Sequence, residues 1–164
     1  MLILASTSRY RADLLRRLQL PFTQEAPGSD ETELAGEAPS ALAQRLALTK
    51  AQAVAARHPQ AWVIGSDQVC ACGNQLLGKP GNRERALQQL RQLSGNSAQF
   101  HTAVALVNNS RGAVYQALDL TTVRFHVLSP QQIERYVEAE PAFDCAGSFK
   151  SEGLGITLCA AIES

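Results

Sequence analysis

Acidic residues occur at two places where carboxylates could bind a divalent cation. Asp67 follows the apolar run 62–65, with one serine between them, and acids at the ends of buried strands in α/β proteins commonly face a ligand crevice. Asp30 and Glu31 lie in an acidic loop and are hard oxygen donors of the kind that Mg²⁺ or Mn²⁺ binds. The alternative for Asp67 is that it caps a turn through its own backbone. The alternative for Asp30 and Glu31 is a solvated acidic loop, and this is the favoured interpretation when the two residues are taken alone.

A predicted helix start carries charge of an unexpected sign. Ser8 is a good N-cap, but Arg9 and Arg11 follow it, and cations in the first turn oppose the helix dipole at about 0.3–1 kcal/mol each. Either both arginines are solvated, or they join the exposed N–H groups and the Ser8 hydroxyl in a phosphate site. The sequence contains neither G-x-x-x-x-G-K-[ST] nor G-x-G-x-x-G, so neither a P-loop nor a Rossmann interpretation has its motif.

The lysines are further candidates for an anion site. Lys79 occupies a tight Gly-Lys-Pro turn, where a lysine serves no structural purpose, and lysines bind phosphate as point charges. Lys50 and Lys150 are the two other lysines of the chain. The histidines have no spacing that links them to a metal or a nucleophile, and we interpret all of them as structural: His58, His101 and His126.

Apolar periodicity and capping signals predict the elements that must position these residues. The predicted helices are about Ser8 to Leu18, roughly Pro39 to Arg57, Asn82 to about Leu93, and a helix to about Ala139 that a Ser129-Pro130-Gln131-Gln132 capping box opens. The predicted strands are 2–5, 62–65 (closed by 66–68 and resumed at Val69), 98–108, 113–127 and 154–162. Helices and strands are mixed rather than strictly alternating, which predicts an α/β or an α+β fold with a mixed sheet.

Composition bounds the class of protein. The 164 residues, with 45% apolar and 18% charged side chains and a net charge of +0, suit one folded domain. Because its net charge is zero, the chain has no bulk electrostatic attraction to nucleic acid or to an anionic membrane. No apolar run approaches the ~20 residues of a membrane span, and the start lacks the basic region of a signal peptide, so we expect a cytoplasmic protein. The C-x-C pair Cys70 and Cys72 has no second thiol pair or nearby histidine, which favours reduced thiols packed as small hydrophobic residues over a zinc site.

Six segments together resemble the Maf family of nucleotide pyrophosphatases. They occur in family order and cover essentially the whole chain: Leu4-Ala5-Ser6-Thr7-Ser8-Arg9-Tyr10-Arg11, Ser29-Asp30-Glu31-Thr32, Arg45-Leu46-Ala47-Leu48-Thr49-Lys50-Ala51, Ile64-Gly65-Ser66-Asp67-Gln68-Val69, Gly78-Lys79-Pro80, and Ala146-Gly147-Ser148-Phe149-Lys150-Ser151-Glu152-Gly153. The Ser-Asp-Gln-Val and Lys-Ser-Glu-Gly segments are similar to those of the subgroup that acts on 7-methyl-GTP. A dTTP/UTP subgroup instead carries Thr after the Asp and Gln at the position of Glu152.

The resemblance implies a fold, an activity and a set of site residues. The fold would be an elongated α/β fold similar to inosine triphosphatase, with a mixed central sheet flanked by helices and a deep nucleotide cleft. The activity would be hydrolysis of a nucleoside triphosphate between the α and β phosphates, with a divalent metal (Mg, Mn or Co) as cofactor, and the family allows a homodimer. The implied roles are proton acceptor for Asp67, metal binding for Glu31 and Asp67, substrate binding for Ser8, Arg11, Lys50 and Lys79, and base specificity for Tyr10, Gln68 and Glu152.

Two departures from the family pattern accompany the resemblance. Arg9 replaces the proline usual at this helix start, which adds a charge near the phosphates. Relatives continue beyond Ser164 with a further strand and helix, so we expect residues 1–164 to form one Maf-like domain without that terminal segment.

Three other functions are alternatives to a 7-methyl-GTP pyrophosphatase. The first is a pyrophosphatase for other nucleotides, pyrimidine or non-canonical. The others are a nucleotide-binding regulator of septum formation with little catalysis and an inactive truncated relative.

Overall fold

Four helices and seven strands make up most of the chain, and the computed structural model describes all 164 residues. The helices are α1 (Arg9–Arg16), α2 (Pro39–Arg57), α3 (Arg83–Leu93) and α4 (Pro130–Ala139). The strands are β1 (Leu2–Leu4), β2 (Thr23–Gln24), β3 (Trp62–Cys72), β4 (Gln75–Leu76), β5 (Ser97–Asn108), β6 (Ala113–Phe125) and β7 (Cys159–Glu163). Short 3-10 turns cover Asn109–Arg111, Ala146–Ser148 and Leu154–Leu158.

Side-chain caps begin α3 and α4 where the sequence predicts them. The Asn82 side chain accepts the backbone N–H of Arg85 at 2.9 Å. Ser129 and Gln132 form a reciprocal capping box, in which each side chain accepts the other residue's backbone N–H. Such caps satisfy N–H groups that have no partner inside the helix, so the predicted starts of these two helices are confirmed.

The strands form one mixed sheet in the order β2-β1-β3-β5-β6-β7, with β4 paired to β3. Strand β1 runs parallel to β2 and β3. Strand β4 is antiparallel to β3, and β7 is antiparallel to β6. The predicted α/β class with a mixed central sheet flanked by helices is therefore confirmed, and the elongated shape with a cleft stays a prediction.

Two compact units divide the chain, and each has its own buried side chains. The first comprises Met1–Asp67 and Thr102–Leu118, and the second comprises Gln68–His101 and Asp119–Ser164. In the first unit, Leu4 of β1 packs with Ala12 and Leu15 of α1. This contact packs α1 against β1.

The second unit has a larger core built on aromatic rings. The Phe125 and Phe149 rings meet edge to face with centroids 5.2 Å apart, a geometry that the ring quadrupoles favour. Cys70 and Cys72 are buried in the same core, which confirms that they pack as small hydrophobic residues. Burial raises the pKa of the Cys70 thiol to about 12, so this sulfur is held as the neutral thiol.

Strand β3 is longer than the sequence indicates. The expected interruption at 66–68 is wrong, because the strand continues without a break from Trp62 to Cys72. Asp67 is thus a buried strand residue and neither a residue beyond a strand end nor a turn cap. A buried carboxylate needs a paired cation, and Asp67 has one in Lys50.

The segment 154–162 is only partly a strand. Residues Leu154–Leu158 form 3-10 turns, and β7 begins at Cys159. The backbone N–H of Leu154 donates to the Glu140 carboxylate at 2.5 Å. A side chain binds this part of the backbone, so its apolar residues do not extend into the sheet ladder.

Candidate active site

Helix α2 and strand β3 touch at a residue that has no side chain. A Cβ atom on Gly65 would overlap the backbone carbonyl oxygen of Ala47 and crowd Ala51. Glycine at this position therefore lets the two backbones approach closely. Lys50 is adjacent to Ala51 on α2. Asp67 lies two positions beyond Gly65, on the same face of β3, so the contact brings the lysine and the aspartate together.

Lys50 binds two carboxylates at once. Its Nζ lies 2.6 Å from Asp67 Oδ1 and 3.0 Å from Glu31 Oε2. The Lys50 and Asp67 side chains are 6% and 10% exposed, whereas Glu31 is 53% exposed. A charged lysine or aspartate is rarely buried unless it is paired, and this pairing explains how both side chains are accommodated.

The start of α1 adds a second cation to these carboxylates. The Ser8 hydroxyl accepts the Arg11 backbone N–H at 3.4 Å, which caps the helix. Burial lowers the pKa of the Arg11 guanidinium, while the Asp67 and Glu31 carboxylates act in the opposite direction. Arg11 is therefore within electrostatic reach of both acids. We call Arg11, Glu31, Lys50 and Asp67 the Lys50 group.

Arg45 holds the acidic loop that carries Glu31. Its guanidinium donates to both Glu37 carboxylate oxygens at 2.7 Å and to the Thr32 carbonyl at 3.0 Å. Asp30 accepts the backbone N–H and the hydroxyl of Thr32 at 2.9 and 2.6 Å. These contacts make Asp30 part of the loop's own turn, whereas Glu31 is the acid of this loop that contacts Lys50.

The donor set of the Lys50 group suits one type of cation site. No three His, Cys, Asp or Glu side chains in the structure are grouped so that they could hold a metal ion. Mg²⁺ is commonly bound through one or two carboxylates, with waters and substrate phosphates as its other ligands. Glu31 and Asp67 fit that requirement, because both carboxylates meet at a single Lys50 nitrogen. Ser29 Oγ, on the same loop, is buried without a hydrogen-bond partner.

Tyr10 already contacts a cation in this structure. The Arg9 guanidinium lies over the Tyr10 ring, with its central carbon 4.8 Å from the ring centroid. Arg9 also donates to the Tyr10 hydroxyl at 2.7 Å. The ring face is thus suited to a flat cationic partner, and the exposed Arg9 side chain covers it.

Three predicted site residues belong to the second unit. Gln68 follows Asp67 on β3 and is exposed. Lys79 is exposed in its turn, and the neighbouring Gly78 carbonyl accepts a hydrogen bond from Gln89 at 2.9 Å. Glu152 is exposed at the tip of a loop, where it accepts the Ser151 hydroxyl at 3.3 Å.

A family model described as "Maf-like protein" matches residues 1–164. The chain belongs to the Maf family. A protein named 7-methyl-GTP pyrophosphatase from Xanthomonas oryzae pv. oryzae (strain MAFF 311018) is 60% identical over 163 residues, which cover 99% of this chain and 85% of that protein. A protein of the same name from Thiobacillus denitrificans is 52% identical, with 99% of this chain and 81% of that protein covered.

A solved structure supports the fold independently of sequence. The Staphylococcus aureus Ham1 protein superposes with a TM-score of 0.52 at 13% identity, over 76% of this chain and 71% of that one. At this identity the match shows the fold alone. None of the helices is both long and apolar enough to cross a membrane.

Sequence reasoning missed two residues that shape this Maf site. Ser6 is buried, and its hydroxyl accepts the Ser8 backbone N–H at 3.1 Å and contacts the Arg11 guanidinium at 3.5 Å. Its position directly after the apolar run of β1 is the signal that could have found it. Gly65 could have been found as a glycine inside a strand, which often marks a close backbone approach.

Proposed function

We propose that this chain is a nucleoside triphosphate pyrophosphatase that hydrolyses 7-methyl-GTP to 7-methyl-GMP and pyrophosphate. The observation that carries the proposal is the Lys50 group, in which two cations and two carboxylates converge around a buried lysine. This combination suits phosphoanhydride hydrolysis, because catalysis of that reaction consists mainly of charge neutralisation and the positioning of a water. The names of relatives at 52–60% identity supply the substrate.

Asp67 is the proposed proton acceptor. Its carboxylate is buried and is oriented by Lys50 Nζ at 2.6 Å, so it presents a fixed oxygen to an attacking water. The water loses its proton to Asp67 as its oxygen bonds to the α phosphorus, and the bond to the β-phosphate oxygen breaks to release pyrophosphate. Lys50 also stabilises the negative charge that remains on Asp67 before the proton arrives.

The remaining cations neutralise the phosphates in this proposal. Arg11 and the capped start of α1 at Ser8 supply a guanidinium and backbone N–H groups, which together favour an anion. Lys79 is assigned to the phosphates by its match to the family segment Gly-Lys-Pro. Each of these residues binds the substrate, and none exchanges a proton with it.

Glu31 and Asp67 would hold the divalent cation. When bound, Mg²⁺, Mn²⁺ or Co²⁺ would polarise the α-phosphate and lower the pKa of a bound water. Glu31 is exposed on the Arg45-tethered loop, so it can exchange its lysine contact for a metal without unfolding a core. Asp67 keeps its Lys50 contact in the same role.

Base recognition is assigned to Tyr10, Gln68 and Glu152. Methylation at N7 makes guanine cationic, and the Tyr10 ring can stack on a flat cation, as it does on Arg9. The Glu152 carboxylate can accept hydrogen bonds from N1–H and the exocyclic amino group. Glu152→Gln is expected to reduce the preference for the methylated base, and unchanged selectivity in that variant would refute this assignment.

The test is a substrate panel with product identification. The protein is incubated with 7-methyl-GTP, GTP, dTTP and UTP, each with Mg²⁺ or Mn²⁺, and the products are separated by chromatography. We expect 7-methyl-GMP and pyrophosphate to form fastest. Preference for another nucleotide would support the alternative pyrophosphatase, and the absence of turnover on every nucleotide would favour the regulator or the inactive relative.

Location and assembly complete the proposal. We propose a cytoplasmic protein, which is consistent with four cysteines that are all free thiols. A homodimer and the absence of nucleic-acid binding stay predictions. Sedimentation at several protein concentrations and a binding assay with DNA and RNA test them.

A further inference from the structure

Tyr136 of helix α4 forms hydrogen bonds to the first half of the loop of residues 147–155. The Tyr136 hydroxyl donates to the Ser148 carbonyl at 3.2 Å and accepts the Lys150 backbone N–H at 3.2 Å. Tyr136 is buried, so these bonds form away from water. The first half of the loop therefore has a fixed backbone path.

A carboxylate fastens the second half of the same loop. Glu140 is the C-cap residue that directly follows α4. It accepts the Lys150 ammonium at 2.9 Å and the Leu154 backbone N–H at 2.5 Å, and it also accepts the Gly155 backbone N–H. Its side chain is 15% exposed. We call Glu140, Lys150 and the N–H groups of Leu154 and Gly155 the Glu140 clamp.

The loop is shaped around this carboxylate. A Cβ atom on Gly153 would overlap the Glu140 carboxylate oxygens, and one on Gly155 would overlap the Lys150 carbonyl oxygen. Glycine at both places therefore lets the loop close on Glu140 in this geometry. Glu152 lies at the tip of this loop, between the clamped residues, and its own side chain is exposed.

The Glu140 carboxylate of the clamp carries a negative charge at neutral pH. Burial alone would raise the pKa of Glu140, but hydrogen bonds from Lys150, Leu154 and Gly155 outweigh it, so its pKa lies below the ordinary value. Glu140 is therefore ionised at neutral pH, and its bonds to the N–H donors are charge-assisted. Such bonds are stronger and geometrically more specific than those between neutral groups.

We propose that Glu140 is a positioning residue for base recognition, which holds the 147–155 loop so that the Glu152 carboxylate meets the methylated guanine in one orientation. The inference rests on the proposed function and on the role assigned to Glu152. Glu140 itself touches no substrate, because its carboxylate is directed into the loop and is engaged by three donors. Its contribution is to the selectivity of binding and not to proton transfer.

The test compares Glu140→Gln with a matched control two residues earlier, in the last turn of α4. Glu138 pairs with Arg83 at 3.4 Å and is 66% exposed, so Glu138→Gln makes the same change of charge without touching the loop. Binding of 7-methyl-GTP and GTP is measured by calorimetry in EDTA, and pyrophosphate release is measured with metal. Circular dichroism and the unfolding temperature check that each variant is folded.

Glu140→Gln is expected to reduce the 7-methyl-GTP to GTP affinity ratio roughly 10- to 100-fold, because small misplacements of a recognition group have effects of this size. The ratio in Glu138→Gln should equal that of the wild type. Gly153→Ala displaces the carboxylate from the loop side and should reproduce the loss. In a Glu152→Gln background, Glu140→Gln should have no further effect on the ratio, since both changes remove the same contact.

The failures of the two proposals are distinguishable. A wild-type protein that binds 7-methyl-GTP selectively but releases no pyrophosphate overturns the proposed function alone. A selective wild type whose ratio survives Glu140→Gln, or a double variant in which the two effects add, overturns the positioning role alone. Equal losses of affinity for both nucleotides in Glu140→Gln would show a merely structural residue and also overturn it.

Discussion

The Lys50 group and the Glu140 clamp arrange a lysine and its carboxylates in opposite ways. In the first unit, one lysine is shared by two carboxylates, and one of these, Glu31, is half exposed. In the second unit, one largely buried carboxylate is shared by a lysine and two backbone N–H groups. An exposed carboxylate can exchange its lysine contact for a metal cation, whereas a buried carboxylate surrounded by donors has no such capacity. The exposure and the partners of the carboxylates therefore separate the proposed chemical site from the positioning site.

Loss of Lys50 should have the largest effect on stability. Lys50→Met leaves the buried Asp67 without the ammonium that pairs with it, and breaking a buried pair costs about 3–5 kcal/mol. Urea unfolding measures this change, and pyrophosphate release should fall with it. Lys150→Met removes a lysine that is 26% exposed and is the matched control, which should destabilise less. An equal effect of the two variants would contradict the distinction between the sites.

A methyl group at Gly65 should be nearly as damaging. Gly65→Ala forces α2 away from β3, because the new Cβ would overlap the Ala47 carbonyl. Overpacking of this kind costs about 1–3 kcal/mol, occasionally more, and should also separate Lys50 from Asp67. Thermal unfolding and activity are the measurements. Gly78→Ala adds a methyl group in open space and should leave the stability near that of the wild type.

The acidic loop should control metal dependence more than stability. Arg45→Met removes the contacts to Glu37 and to the Thr32 carbonyl, so Glu31 loses its support. Loss of such outer contacts weakens metal binding about 10- to 100-fold. The Mg²⁺ concentration that gives half-maximal activity should therefore rise. Arg124→Met, which breaks an exposed pair with Glu163, should leave it unchanged, and a rise in both variants would refute the assignment.

Acid should release the clamp gradually. The folded pKa of Glu140 lies below its ordinary value of 4.5, so its contribution to stability is present above that pH and is lost as the pH falls through the folded pKa. The difference in urea midpoint between wild type and Glu140→Gln should shrink in that range. A difference that is constant from neutral pH to about pH 3 would contradict this linkage.

Thiol labelling should show the smallest effect. Cys70 has a pKa raised by burial to about 12, and Cys72 is also buried, so neither is a thiolate near neutral pH. Iodoacetamide should label both only after unfolding, as read by mass spectrometry. Rapid labelling of Cys70 in the native protein would contradict its place in the core.

Local sequence signals predicted the helices and strands better than they predicted the tertiary contacts. The helix starts at Asn82 and Ser129 were predictable, because caps are written in adjacent residues. The continuity of β3 through Asp67 was not predictable, because the polar run 66–68 has the composition of a turn. The cation that pairs with the Asp67 carboxylate, Lys50, lies on another element. Glu140 escaped notice for the same reason, since its partners lie 10 and 14 residues further along the chain.

Turnover of 7-methyl-GTP by Asp67→Asn tests the central claim most directly. The substitution keeps the size of the side chain but removes the proposed proton acceptor, and loss of a general base lowers the rate about 10²- to 10⁴-fold. We expect kcat to fall by that amount while the affinity for 7-methyl-GTP in EDTA stays near that of the wild type. A folded Asp67→Asn protein that releases pyrophosphate at the wild-type rate would contradict the claim that this site performs the hydrolysis.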